Sequence, residues 1–90
     1  MKFGYYIVYG QPKDFGGLDN RKAAEKKFAE VLKKLGMELV LIGNSFGTSE
    51  DYVYVMKGDM DKYQAMFGNQ EFADANPIES DQRSNFVLVP

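Results

Sequence analysis

One segment of this 90-residue chain has the periodicity of a helix, and the rest must be arranged around it. Ala24, Phe28, Val31, Leu32 and Leu35 fall at helical spacing, one apolar stripe on an otherwise charged cylinder. Asp19 or Asn20 offers a side-chain oxygen to an orphan N–H of the first turn. Lys33 and Lys34 complement the negative end of the helix dipole, and Gly36 is a natural left-handed stop. Lys22, Lys26, Glu25 and Glu30 line the opposite side and read as a solvated face. Such a helix needs a second layer to cover its stripe, and its flanks supply one as strands.

The run Phe3-Gly4-Tyr5-Tyr6-Ile7-Val8-Tyr9 is aromatic and β-branched and stops at Gly10-Gln11-Pro12, which is strand chemistry closed by turn chemistry. A polar loop with Gly16 and Gly17 leads into the helix. Residues 37–42, apolar except for Glu38, are too short for another helix and read as a second strand with room to run on to Phe46. Residues 47–51 turn the chain into a third strand, Tyr52-Val53-Tyr54-Val55-Met56, antiparallel to the second. Asp59 is placed to cap a second helix carrying Met60, Tyr63, Met66 and Phe67 and interrupted at Gly68. Residues 69–75 add a helical turn that Asn76-Pro77 must end. Asn85-Phe86-Val87-Leu88-Val89 is the last strand. The expected fold is a single α+β domain over residues 1–90, ordered βαββαβ. Its economical form is a four-stranded antiparallel sheet with two helices on one face, the ferredoxin-like arrangement, with the first and third strands central.

That arrangement leaves one sheet face without a cover. In the third strand Val53 and Val55 share one face, and Tyr52, Tyr54 and Met56 the other. The compact β-branched pair suits packing beneath helices, which sends Tyr52, Tyr54 and Met56 to the open face. The first strand leaves the choice open between Phe3, Tyr5, Ile7 and Tyr9 on one side and Gly4, Tyr6 and Val8 on the other. Either way an aromatic patch is exposed. Patches above a few hundred Å² mark interfaces or ligand sites, and a homodimer through this face is expected, with Tyr52, Tyr54 and Met56 at its interface.

Absences remove whole classes of chemistry. The chain has no Cys and no His, so thiolate nucleophiles, zinc–sulfur and iron–sulfur sites, imidazole bases and His-ligated metals are excluded. Gly43-Asn44-Ser45-Phe46-Gly47 matches the nucleophile-elbow pattern, but that chemistry needs a His base and a strand-to-helix turn, and here the segment leads to a strand. Asp59 and Asp61 are explained by capping and solvent, and Glu79 and Asp81 by a wet connection, so no metal and no cofactor is expected. An RNA-recognition module shares the strand order, yet the third strand lacks that module's basic residue and glycine, and the net charge of −2 gives no electrostatic footprint. No nucleic-acid partner, no membrane span and a cytoplasmic location are expected.

The element order resembles the dimeric α/β-barrel superfamily, in which two ferredoxin-like sheets pack face to face. The Met1-Lys2-Phe3 start, the Phe28-bearing helix and Asn76-Pro77-Ile78 before the last strand are similar to small uncharacterised members of that group. The resemblance implies a dimer and a ligand-sized cavity, and the superfamily includes cofactor-independent monooxygenases, other small-substrate enzymes and haem-handling proteins. Members that depend on a His are set aside by its absence. Tyr5, Tyr9, Tyr54, Arg83 and Asn85 are the candidates for lining a ligand cavity, because they project from central or flanking strands. The expected function is small-molecule binding, with a cofactor-independent enzyme on a hydrophobic or aromatic substrate as its catalytic form. The alternative is a non-catalytic interaction or regulatory module whose sheet face serves only homodimer assembly.

Overall fold

The computed structural model describes residues 2–90, so Met1 of the N-terminal run lies outside the described residues. The chain forms β1 (Phe3–Pro12), α1 (Leu18–Lys34), β2 (Glu38–Asn44), β3 (Tyr52–Asp59), α2 (Met60–Met66), α3 (Gln70–Ala75) and β4 (Ile78–Leu88). The sheet order is β2-β3-β1-β4 with every neighbour antiparallel, so β1 and β3 are central. This is the ferredoxin-like α+β arrangement, with its second helix broken into two short pieces.

Local chemistry explains most boundaries. At the end of α1, Gly36 adopts φ +89°, the Gly36 N–H donates to Lys33 O and the Met37 N–H to Leu32 O at 2.8 Å. This hydrogen-bonded reversal satisfies carbonyls the helix would otherwise orphan, and it drops Met37 into the core beside Leu32. Asp59 caps α2 by accepting from the Asp61 N–H, and Asn69 caps α3 by accepting from the Phe72 N–H. The start of α1 differs from expectation. Gly17 precedes it without a side-chain cap, and Asp19 and Asn20 lie within the first turn.

The last strand also differs, beginning at Ile78 rather than near Asn85, so Glu79 and Asp81 are strand residues instead of a loop. Its first half is polar because it is an edge with little to bury, and apolar alternation is the signal by which a strand is read. The pairing of β1 with β4 is irregular between Tyr9 and Pro12, where Asp81 adopts φ +57°. Gly10 lies at that crossing, where a Cβ would collide with the Ile78 side chain.

The larger correction concerns which face meets the helices. Tyr6, Val8, Tyr52, Tyr54 and Met56 are all buried beneath them, packed with Phe28 and Leu32 of α1 and Tyr63 and Met66 of α2. Tyr52, Tyr54 and Met56 therefore lie opposite the open face on which they were expected. One long helix and two short ones leave a wide layer, which rings fill better than valines do. Tyr6 stacks on Tyr63 with centroids 4.3 Å apart, and Phe28 meets Tyr54 edge-on at 4.8 Å. Each of the three sheet tyrosines finds a partner for its hydroxyl. Tyr52 donates to Glu25, Tyr54 to Asn76 Oδ1 at 3.3 Å, and Tyr6 to Gly58 O at 3.5 Å. Among the described residues no buried side-chain polar atom lacks a partner.

The orientation is testable by paired truncations. Tyr54→Ala should destabilise the folded chain by about 3–5 kcal/mol in urea titration, as a buried aromatic does. Val55→Ala, pointing to the other face, should lose no more than about 1.5 kcal/mol. Similar losses at both positions would overturn the assignment.

Candidate functional site: the open sheet face

The register aligns the open face in rows. Val53, Tyr9 and Arg83 make one row, Leu41, Val55, Ile7 and Asn85 the next, and Lys57, Tyr5 and Val87 the third. The centre is thus apolar, and polar groups collect at the ends. Strand spacings give a face about 20 Å wide and 25 Å long, or ~500 Å² in projection. A face of that size lies in the range of a typical monomer's largest exposed patch, which is often functional. Leu41 and Val87 are each about half exposed, at 51% and 50%.

One end of the face is closed over by the loop of residues 45–51. Ser45 and Thr48 hydroxyls hydrogen-bond at 2.7 Å, the Thr48 hydroxyl donates to Glu50 O at 3.0 Å, and the Ser45 N–H donates to Asp51 O at 3.1 Å. So braced, the loop holds Glu50 across β1 to reach Arg83 on β4. Arg83 Nε donates to Glu50 Oε2 at 2.6 Å and its terminal nitrogen to Oε1 at 3.2 Å. The pair is bidentate, the strongest geometry for such a contact. Beneath it the Arg83 guanidinium lies 4.4 Å from the centroid of the Tyr9 ring, a cation–π contact. The hydrogen bond from Arg83 holds the Glu50 carboxyl at about 2, well below its ordinary value. At the opposite end Lys57 pairs with Glu38 at 3.0 Å, and Phe3 meets Tyr5 edge-on.

Of the residues expected to line a ligand site, Tyr5, Tyr9, Arg83 and Asn85 do share this face, and Arg83 touches Tyr9. Tyr54 does not, because the sheet separates it from them. Tyr52, Tyr54 and Met56 are core residues and cannot form the sheet-face interface expected of them. The face is instead formed by Ile7, Val53, Val55 and Leu41, and Glu50 belongs to it without having been singled out. No local pattern marks Glu50, since its partner is 33 residues away.

On the helix side a second polar group ties α1 to the sheet. Glu25 accepts from the Tyr52 hydroxyl and from Arg21 Nε at 3.1 Å, and Arg21 also donates to Asn44 Oδ1 at 2.7 Å. Burial and then the Glu25 hydrogen bond push the Tyr52 phenol well above its ordinary range. Glu25 is therefore an anchor rather than part of a solvated face. The spacing of Arg21 and Glu25 is an ordinary helical pair, and only the inward turn of Tyr52 reveals the role.

Little room is left inside the chain. Between sheet and helices a void of about 10 Å³ touches Tyr54, Met56 and Tyr63, space for one water at most. A groove of about 570 Å³ opens to solvent where Phe3, Met37, Glu38 and Lys57 meet the end of α1. Among the described residues no three acidic side chains gather as a metal site, and no helix is long and apolar enough to cross a membrane.

No family model matches this chain, and no curated protein matches it. Among solved structures it is similar to a dimeric ferredoxin-like protein of unknown function from Thermobifida fusca YX. The TM-score is 0.59 at 16% identity, covering 98% of this chain and 92% of that one. The likeness is one of fold.

The Glu50–Arg83 pair has a pH signature. Because the folded-state value is depressed, its contribution to stability is complete above the ordinary carboxylate range and is lost as pH falls toward about 2. Glu50→Gln should lower the urea midpoint at about pH 6, and the two proteins should converge as the carboxylate is protonated. Profiles that stay parallel down to about pH 2 would show that the pair contributes nothing.

Proposed function

We propose that two copies of the chain close their open faces on one another, and that the space between them binds a small hydrophobic or aromatic molecule. The observation that carries this reading is the uncovered apolar centre of the face, with Tyr9, Arg83 and Asn85 set at its margin. A face of ~500 Å² in projection approaches the ~800 Å² of accessible surface per partner that a standard interface buries, once the relief of its side chains is counted. The neighbour from Thermobifida fusca, dimeric and alike in fold, supports the dimer in this reading. Face-to-face sheets sit about 10 Å apart, and wherever opposing side chains are short a chamber remains.

The chemistry of the face favours binding over catalysis. A general base works best with a pKa near the operating pH. Glu50, held at about 2 by Arg83, is a weak base, and its charge is already spent on the guanidinium. Arg83 in turn offers its flat face over Tyr9 and its unengaged N–H groups, which suit an aromatic ring bearing a polar substituent. The second reading, a module whose face serves assembly alone, is favoured by one observation. Arg83 and Glu50 satisfy each other without any ligand.

Light scattering separates these outcomes in two steps. The wild-type chain should be a dimer, and Val55→Glu, which places an unpaired charge at the centre of the face in both copies, should raise the dissociation constant at least about a thousandfold. A dimer unmoved by Val55→Glu would remove the face from the assembly. Next, 2-naphthoate should raise the melting temperature of the wild-type dimer and not that of an Arg83→Leu dimer. Equal responses would remove Arg83 from the site, and no response in either would leave assembly as the function.

A further inference from the structure

The nine glycines of the chain divide by what each position requires. Six adopt positive φ, a conformation that favours glycine. At Gly4 and Gly10 a Cβ would collide with β4. Gly43 fits neither group. Its backbone is that of an ordinary strand residue, and a Cβ there would meet nothing within 4 Å. Nothing within the chain requires glycine at this position, and a glycine inside a strand weakens it through entropy and lost packing surface. What it leaves is room. A glycine in a strand interior often marks the close approach of a ligand or of another backbone.

The room lies on the open face. Gly43 pairs with Val53, Val53 with Tyr9 and Tyr9 with Arg83, so the row that ends in the Arg83–Glu50 pair begins at this gap. Leu41 stands on one side of it along β2, and the braced loop begins on the other at Ser45. The Arg83 guanidinium lies over the Tyr9 ring on β1, and its second terminal nitrogen donates to nothing among the described residues. From β1 to β2 is two strand spacings, about 10 Å, roughly the length of two fused aromatic rings bearing a carboxyl group. We propose that the gap at Gly43 receives the far ring of the bound molecule, whose hydrogen-bond-accepting substituent meets Arg83 over Tyr9. Gly43 thereby selects fused-ring aromatic molecules over single rings. The inference rests on the binding reading above and adds to it the ligand's position and length. A single ring anchored at Arg83 ends over Val53 and leaves the gap unfilled. The second ring buries apolar surface against Val53 and Leu41, which is the source of the selectivity.

The test compares a one-ring and a two-ring acid on the same dimer. In titration calorimetry the wild-type dimer should bind 2-naphthoate at least about tenfold more tightly than benzoate, a discrimination that an apolar contact of that size supports. Gly43→Val, which suits a strand and fills the gap, should erase that preference. Its benzoate affinity and its dimer dissociation constant should stay within about twofold of the wild type. Gly43→Ala, which adds one methyl into open space, should remove part of the preference. Absence of the preference in the wild type, or its survival in Gly43→Val, would overturn the placement, as would equal weakening of both acids. A dimer dissociation constant raised by Gly43→Ala would overturn it too, by showing that the partner's backbone rather than a ligand occupies the gap. No binding of either acid by the wild-type dimer would instead overturn the binding reading on which the placement rests.

Discussion

Where three phenolic hydroxyls find partners decides which side of this sheet is the inside. Tyr52 and Tyr54 reach Glu25 on α1 and Asn76 beyond α3, Tyr6 reaches Gly58 O on the neighbouring strand, and rings of that length need a layer deep enough to hold them. A buried tyrosine whose hydroxyl went unpaired would cost about as much as its ring gains. With all three satisfied, the rings become the bulk of the core, and period-two alternation turns Ile7, Val53 and Val55 outward. The character of the open face is thus a consequence of the closed one.

The order of elements, the central positions of β1 and β3, the α1 stripe and the stop at Gly36 were all legible in the sequence, because each has a local signal. The face of β3 was not. Alternation shows that Val53 and Val55 oppose Tyr52 and Tyr54, but it carries no sign, and choosing the smaller residues for the inside ignored how much volume two short helices leave unfilled. Hydroxyl partners on α1 and beyond α3 settle the sign, and those are separated from Tyr52 and Tyr54 by 27 and 22 residues. The same blindness hid Glu50. Its partner Arg83 was singled out, yet nothing local joins the two.

A polar pair at the margin of an apolar sheet is informative because it is so well satisfied. Glu50 is brought there by a loop with its own hydrogen bonds, and the Arg83 guanidinium packs over the Tyr9 ring. Such an arrangement fixes position at the expense of reactivity. It gives the face a defined end, a directional feature on a surface that would otherwise be uniformly greasy, and recognition needs direction as much as it needs area.

The irregular first half of β4 has a further consequence. An outer strand of 11 residues presents a row of free backbone groups, the kind of surface on which chains template one another into fibrils. The left-handed kink at Asp81 and the shifted pairing opposite Gln11 and Pro12 break that row into two pieces that cannot both lie flat against an incoming strand. What remains regular, from Arg83 to Leu88, is short. The bend makes this edge a poor template for a second chain.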